Sequence, residues 1–163
     1  MGASRRVLVI FIACVSFFLS NLAAQQTDQV TAELVLGPQW RQMSRRAGMI
    51  FAGTVLNASM WTPVTDRAVA GATPAVQLRF RVERAIAGTQ PGKILTVHEW
   101  AGAWSRHRPM RKGQHVLIFL YPLSRLGFTS PVGGSLGQVD LDPNGKKVAQ
   151  LERAIRGARS EEE

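Results

Sequence analysis

Cysteine is almost missing from this chain: Cys14 is the only one in 163 residues. It lies inside an N-terminal apolar run, so a chain trimmed of that run has no thiol. Disulfides, thiolate metal sites and cysteine nucleophiles are then excluded, even in an oxidising compartment. Acidic residues are sparse as well. Between Arg41 and Arg125 they are only Asp66, Glu83 and Glu99, widely spaced, and no carboxylate pair suited to acid–base catalysis is present. The longest apolar stretch, Val7 to Ala24, is shorter than the roughly 20 residues needed to cross a bilayer and is broken by Ser20 and Asn21. No internal repeat is present.

What is there begins with a leader. Arg5 and Arg6 precede the run Val7–Leu19, and Ser20-Asn21-Leu22-Ala23-Ala24 supplies small and polar residues before Gln25. This order, basic then apolar then small, is that of a secretory signal. Cleavage after Ala23 or Ala24 places Asn21 or Leu22 three residues back, so neither site is ideal. Apolar residues continue past Cys14, which sets aside a lipoprotein signal. The expected division is a signal peptide over 1–24, one β-barrel domain over 25–158 and a charged tail over 159–163. The expected location is exported, periplasmic or secreted; the alternative is a chain anchored by an uncleaved segment, touching membrane only through residues 7–24. The remaining length suits one domain that needs no disulfide staples.

The formal net charge is +9, and loss of Arg5 and Arg6 would leave +7. Such a surface attracts anionic partners. It also serves plain solubility.

Along the chain, Gln25 to Val30 reads as frayed. Pro38 can open a short helix, in which Trp40, Met43 and Ala47 share a face and Arg41, Gln42, Arg45 and Arg46 face water; Gly48 stops it. Met49–Leu56 reads as a strand with a bulge or close approach at Gly53, and Asn57–Thr73 as a long connector. Val76, Leu78, Phe80 and Val82 alternate with Gln77, Arg79, Arg81 and Glu83, the period of a strand with one wet face. A turn over Gly88–Gly92 leads to a strand from Ile94 to Trp100, then a basic loop from Ala101 to Gly113. His115–Tyr121 is apolar on both faces and is expected to be the central strand. Phe128-Thr129 predicts a brief strand. Leu136–Leu141 and Lys146–Val148 predict strands around the turn Asp142-Pro143-Asn144-Gly145, and Ala149–Ala158 a closing helix. The fold class expected is mainly β: a small antiparallel five-stranded barrel with a short N-terminal helix and a C-terminal helix.

Three segments resemble a known family. They are Ile50-Phe51-Ala52-Gly53-Thr54-Val55, then Leu78-Arg79-Phe80-Arg81-Val82-Glu83 with Ala87-Gly88 and Gly92, and then Arg111 to Leu120, which is similar to a G-x-x-Y-L-V-F segment. Over Trp40 to Asp140 the chain resembles exported bacterial domains of netrin-like, tissue-inhibitor-of-metalloproteinase-like, type. The resemblance implies a five-stranded barrel of oligonucleotide/oligosaccharide-binding (OB) shape. The animal inhibitors clamp a protease zinc with an N-terminal cysteine; that residue is missing here, and no inhibitory residue carries over.

Gly133-Gly134-Ser135-Leu136-Gly137 fits G-x-S-x-G, but no histidine follows His115 to take the serine proton in the order that motif requires. His98-Glu99 starts an H-E-x-x-H pattern that ends on Gly102, and His98, His107 and His115 lack metal-ligand spacing. Asn57-Ala58-Ser59 is a glycosylation sequon that matters only in a eukaryotic source. No cofactor, metal or catalytic residue is therefore expected.

The stretch with binding character is the loop of Trp100, Trp104, Arg106, His107, Arg108, Arg111 and Lys112, where aromatic faces accompany cations. The expected function is non-enzymatic: an exported module binding an anionic glycan or lipid surface through this loop. A structural interaction module of the cell envelope is the alternative. Export disfavours nucleic acid.

Overall fold

The computed structural model describes residues 25–61, 74–104, 109–142 and 146–161. The proposed signal segment, residues 1–24, lies outside them, as do 62–73, 105–108 and the turn residues 143–145.

The domain is mainly β. Five antiparallel strands form one sheet in the order β3-β2-β1-β4-β5: β1 is Met49–Trp61, β2 Ala75–Ala87, β3 Ile94–Trp100, β4 His115–Leu120 and β5 Gln138–Asp140. β1 is therefore the middle strand and β4 its neighbour, whereas β4 was the one expected at the centre. Both are buried on two faces. Ile50 and Ala52 of β1 and Leu117 and Phe119 of β4 point into one core cluster. Phe51, Val55, Val116 and Ile118 point into the other.

β1 runs five residues beyond the expected Leu56, pairing with β2 along its whole length and with β4 over its first half. Its register against β2 shifts in three places, between Ile50 and Phe51, Ala52 and Gly53, and Val55 and Asn57. Bulges of this kind bend a strand and increase its twist. They also break the two-residue period, which is why the polar stretch after Leu56 reads as connector. At Gly53 the backbones meet so closely that an added Cβ would lie 2.2 Å from the Arg81 carbonyl oxygen.

The first core cluster lies between the sheet and the helices. Residues 25–36 form helix α1, not the frayed end read from its polar start. Asp28, Ala32 and Leu36, four residues apart, are its buried positions. Helix α2, Trp40–Arg46, buries Trp40, Met43 and Ser44, matching the expected stripe apart from Ser44. Helix α4, Lys146–Ser160, contributes Val148, Leu151, Ala154 and Ile155. It starts at Lys146, so Lys146–Val148 is its first turn and not a strand. Arginines tie these helices together. Arg153 donates to both carboxylate oxygens of Asp28 on α1, at 2.7 and 3.0 Å, a hydrogen bond and charge that raise the Arg153 pKa above its ordinary value. Arg159 donates to the carbonyls of Ser44 and Ala47 at the end of α2, supplying partners that the helix end lacks. Arg156 reaches the Ala85 carbonyl of β2.

The second cluster lies on the opposite face of the sheet, with Phe51 edge-on to Phe80 at 5.3 Å between ring centroids. α3, Ala101–Trp104, is a single helical turn after β3, where a loop was expected. Gly134–Gly137 is a 3-10 turn that leads into β5, so the strand expected from Leu136 starts two residues later. The sheet is not closed into a barrel. Two isolated bridges instead engage the segment between β4 and β5: a parallel one joins His98 on the edge strand β3 to Phe128, and an antiparallel one joins Leu120 of β4 to Pro131. Phe128-Thr129, expected as a brief strand, makes only the first of these. Among the described residues, no helix is long and apolar enough to cross a membrane.

Candidate functional site

The helices cover their face of the sheet around Ile50, Ala52, Ile86, Leu117 and Phe119. The rest of that face, over β2, β3 and the second half of β1, contributes nothing to that cluster. Antiparallel partners share a face, so the register defines its rows: Trp61, Ala75 and Trp100; then Ser59, Gln77 and His98; then Asn57, Arg79 and Thr96; then Thr54, Arg81 and Ile94.

The first two rows hold an aromatic cluster. Trp61 packs on His98 at 4.2 Å between ring centroids, and Phe128 lies 6.1 Å from Trp61 and 6.2 Å from His98. Trp100 stacks flat on Phe128. Small Ala75, in the row between the two tryptophans, is fully buried. His98 is fixed from two directions: its carbonyl accepts the Thr129 N–H at 2.9 Å, and its Nε2 is 3.2 Å from Gln77 Nε2. Trp100 remains 38% exposed, so one aromatic rim reaches solvent.

The next two rows supply charge. Arg79 and Arg81 are exposed on β2, about 6–7 Å apart along the strand. Among the described residues neither guanidinium has a hydrogen bond or ion pair. This distinguishes them from the engaged arginines of α4. Arg111 and Lys112 are exposed on the turn before β4, where the Gly113 N–H donates to the Val55 carbonyl. Cations thus flank β1 on both sides.

Of the residues singled out in the sequence, Trp100 is on this face, and Arg111 and Lys112 are on the neighbouring turn. Trp104 packs against the second core cluster, and Arg106, His107 and Arg108 lie outside the described residues. Sequence reading missed Trp61, Phe128, Arg79 and Arg81 as site residues. The alternation of β2 had already placed both arginines on a wet face, but nothing local joins Trp61 or Phe128 to Trp100. Glu99 was also missed: alternation along β3 turns it inward, where it is 1% exposed beside the apolar core.

One other polar group lies on the helix-side face of the sheet. Thr54 Oγ1 donates to Glu83 Oε1 at 2.5 Å and lies 3.3 Å from His115 Nδ1, which is itself 3.6 Å from Glu83 Oε1. A nucleophile relay needs hydroxyl and carboxylate on opposite ring nitrogens. Here both crowd Nδ1, and the geometry does not activate the threonine. The G-x-S-x-G run also serves the backbone. Gly133 and Gly134 take φ of 69° and 65°, and a Cβ at Gly137 would lie 2.4 Å from the Val132 carbonyl oxygen. Ser135 is exposed on the 3-10 turn instead of on a strand-to-helix elbow. Among the described residues, no three His, Cys, Asp or Glu side chains gather as a metal site. No family model matches the chain, and no curated protein matches it either.

Proposed function

We propose that this chain is an exported, non-enzymatic binding module that takes an acidic glycan on the face of β2 and β3 that carries Arg79 and Arg81. The observation that carries the reading is the pair Arg79 and Arg81, exposed and without partners among the described residues, beside the exposed rim of Trp100. Sugar rings stack on tryptophan, and their carboxylate or sulfate groups suit guanidinium forks. Arg111 and Lys112 extend the same field across β1.

The finer architecture belongs to this proposal. The order β3-β2-β1-β4 is that of a Greek key, and the bridge from His98 to Phe128 brings the free edge of β3 towards the segment that leads into β5. Both features support an OB-like, partly open barrel of the netrin-like type, whose second and third strands commonly bear the ligand.

Calorimetric titration with an oligogalacturonate tests the reading. Arg79→Gln with Arg81→Gln should weaken binding about tenfold or more at low salt, since charge-assisted hydrogen bonds contribute about 1.5–3 kcal/mol each. Equal affinity for the variant and the parent chain would refute it. The rival reading, a structural interaction module of the envelope, is favoured by a cleft of about 570 Å³ between the end of α1 and the 3-10 turn, flanked by Leu34 and Leu136. Salt separates the two, because binding through exposed cations fades as ionic strength rises and apolar docking does not.

A further inference from the structure

Beyond β4 the chain continues as an irregular hairpin arm. The Tyr121 N–H donates to the Ser130 carbonyl at 3.0 Å, and Thr129 Oγ1 donates to the Tyr121 carbonyl at 2.7 Å. The arm ends in a tight turn. The Gly127 N–H donates to the Ser124 carbonyl at 2.9 Å, the Ser124 N–H donates to the Phe128 carbonyl at 2.8 Å, and the Phe128 N–H donates to Ser124 Oγ at 3.1 Å. Gly127, at φ 76°, supplies the left-handed residue that closes such a three-residue loop.

On this fixed backbone the side chains are unusual for a turn. Leu123 is 56% and Leu126 75% exposed, with exposed Arg125 between them. Turn tips ordinarily carry Asn, Asp, Ser or Gly. The turn leads directly into Phe128, on which Trp100 is stacked, so the two leucines and the exposed tryptophan rim occupy one end of the domain. The tip itself carries Arg125, and the sequence from Trp100 to Val139 holds Arg106, Arg108, Arg111, Lys112 and Arg125 and not one Asp or Glu.

We propose that the Leu123–Gly127 turn, with Trp100 beside it, dips into the surface of an anionic lipid bilayer. Short apolar tips, an amphipathic tryptophan and an arginine able to extend its head group back to phosphate are the components of interfacial attachment. Arg125 on the tip, in a stretch of sequence with no acidic residue, complements anionic head groups. A protein partner would need a pocket shaped to the projecting tip, whereas the acyl boundary needs none. The attachment shares the Trp100 rim with the glycan face, but it uses neither Arg79 nor Arg81 and no anchoring by residues 7–24.

The test uses the full chain in a Cys14→Ser background, with an environment-sensitive fluorophore placed through Leu126→Cys or, as a control on the exposed face of β3, Thr96→Cys. With vesicles of phosphatidylcholine and phosphatidylglycerol, emission from position 126 should rise and shift to the blue while position 96 stays unchanged. Adding Leu123→Ser to the chain labelled at 126 should raise the lipid needed by about tenfold, the equivalent of withdrawing one leucine from the bilayer. A label at 126 that remains in water at every lipid concentration, whether or not the chain sediments with the vesicles, would overturn the proposal. So would a response to protein-containing native membranes but not to pure lipid, which would assign the tip to a protein partner. Neither result bears on oligogalacturonate affinity, so the two proposals fail independently.

Discussion

Trp100 lies flat on Phe128, with ring centroids 4.0 Å apart and planes 3° from parallel. The contact spans the sheet's free edge: Trp100 ends β3, and Phe128 belongs to the segment that leads from β4 towards β5. With the backbone bridge from Phe128 to His98, it ties the β3 edge to the segment between β4 and β5 and leaves a Trp100 rim exposed.

The stacked pair should therefore show coupling in a double-mutant cycle. Trp100→Ala, Phe128→Ala and the combined variant, unfolded in urea, are expected to give an interaction energy of about 0.5–1.5 kcal/mol, the usual range for aromatic pairs. Strictly additive losses would mean that the rings only share a neighbourhood.

The two tryptophans of the Trp100–Lys112 stretch should separate by phenotype. Trp104 packs on the second core cluster, so Trp104→Ala should lower stability by about 1–3 kcal/mol, less than for a fully buried ring, and leave the oligogalacturonate affinity of the folded fraction unchanged. Trp100→Ala should weaken that affinity. Urea midpoints and calorimetry on the same samples decide; loss of affinity in Trp104→Ala alone would reverse the assignment.

Gly53 should tolerate no side chain. A Cβ there meets the Arg81 carbonyl oxygen within the β1–β2 ladder, and neither backbone can move without breaking pairs. Gly53→Ala is expected to cost about 1–3 kcal/mol, as overpacking typically does. Gly102, with nothing near its Cβ position, is the control, and Gly102→Ala should be close to neutral in the same denaturation series.

Much of the fold was legible because its signals are local. Val76 to Glu83 alternates cleanly, the apolar block of β4 is short and uninterrupted, and Leu151, Ala154 and Ile155 mark one face of α4. Other parts were not. Lys146–Val148 is too short for period to separate strand from first helical turn. Asp28 is a buried position of α1 because Arg153, distant in sequence, pairs with it, so a polar segment reads as frayed until α4 is placed. The site was half legible for the same reason. Arg79 and Arg81 follow from alternation, whereas the meeting of Trp61, His98, Trp100 and Phe128 depends on the curl of the sheet and on a crossing made after β4.

The most direct test of the binding account is amide chemical-shift mapping of the isotope-labelled chain titrated with oligogalacturonate. The account predicts saturable shifts concentrated at Gln77, Arg79, Arg81, Thr96, His98 and Trp100, with smaller ones at Arg111 and Lys112 and suppression by salt. Shifts confined to the cleft between Leu34 and Leu136, or none at low ionic strength, would contradict it.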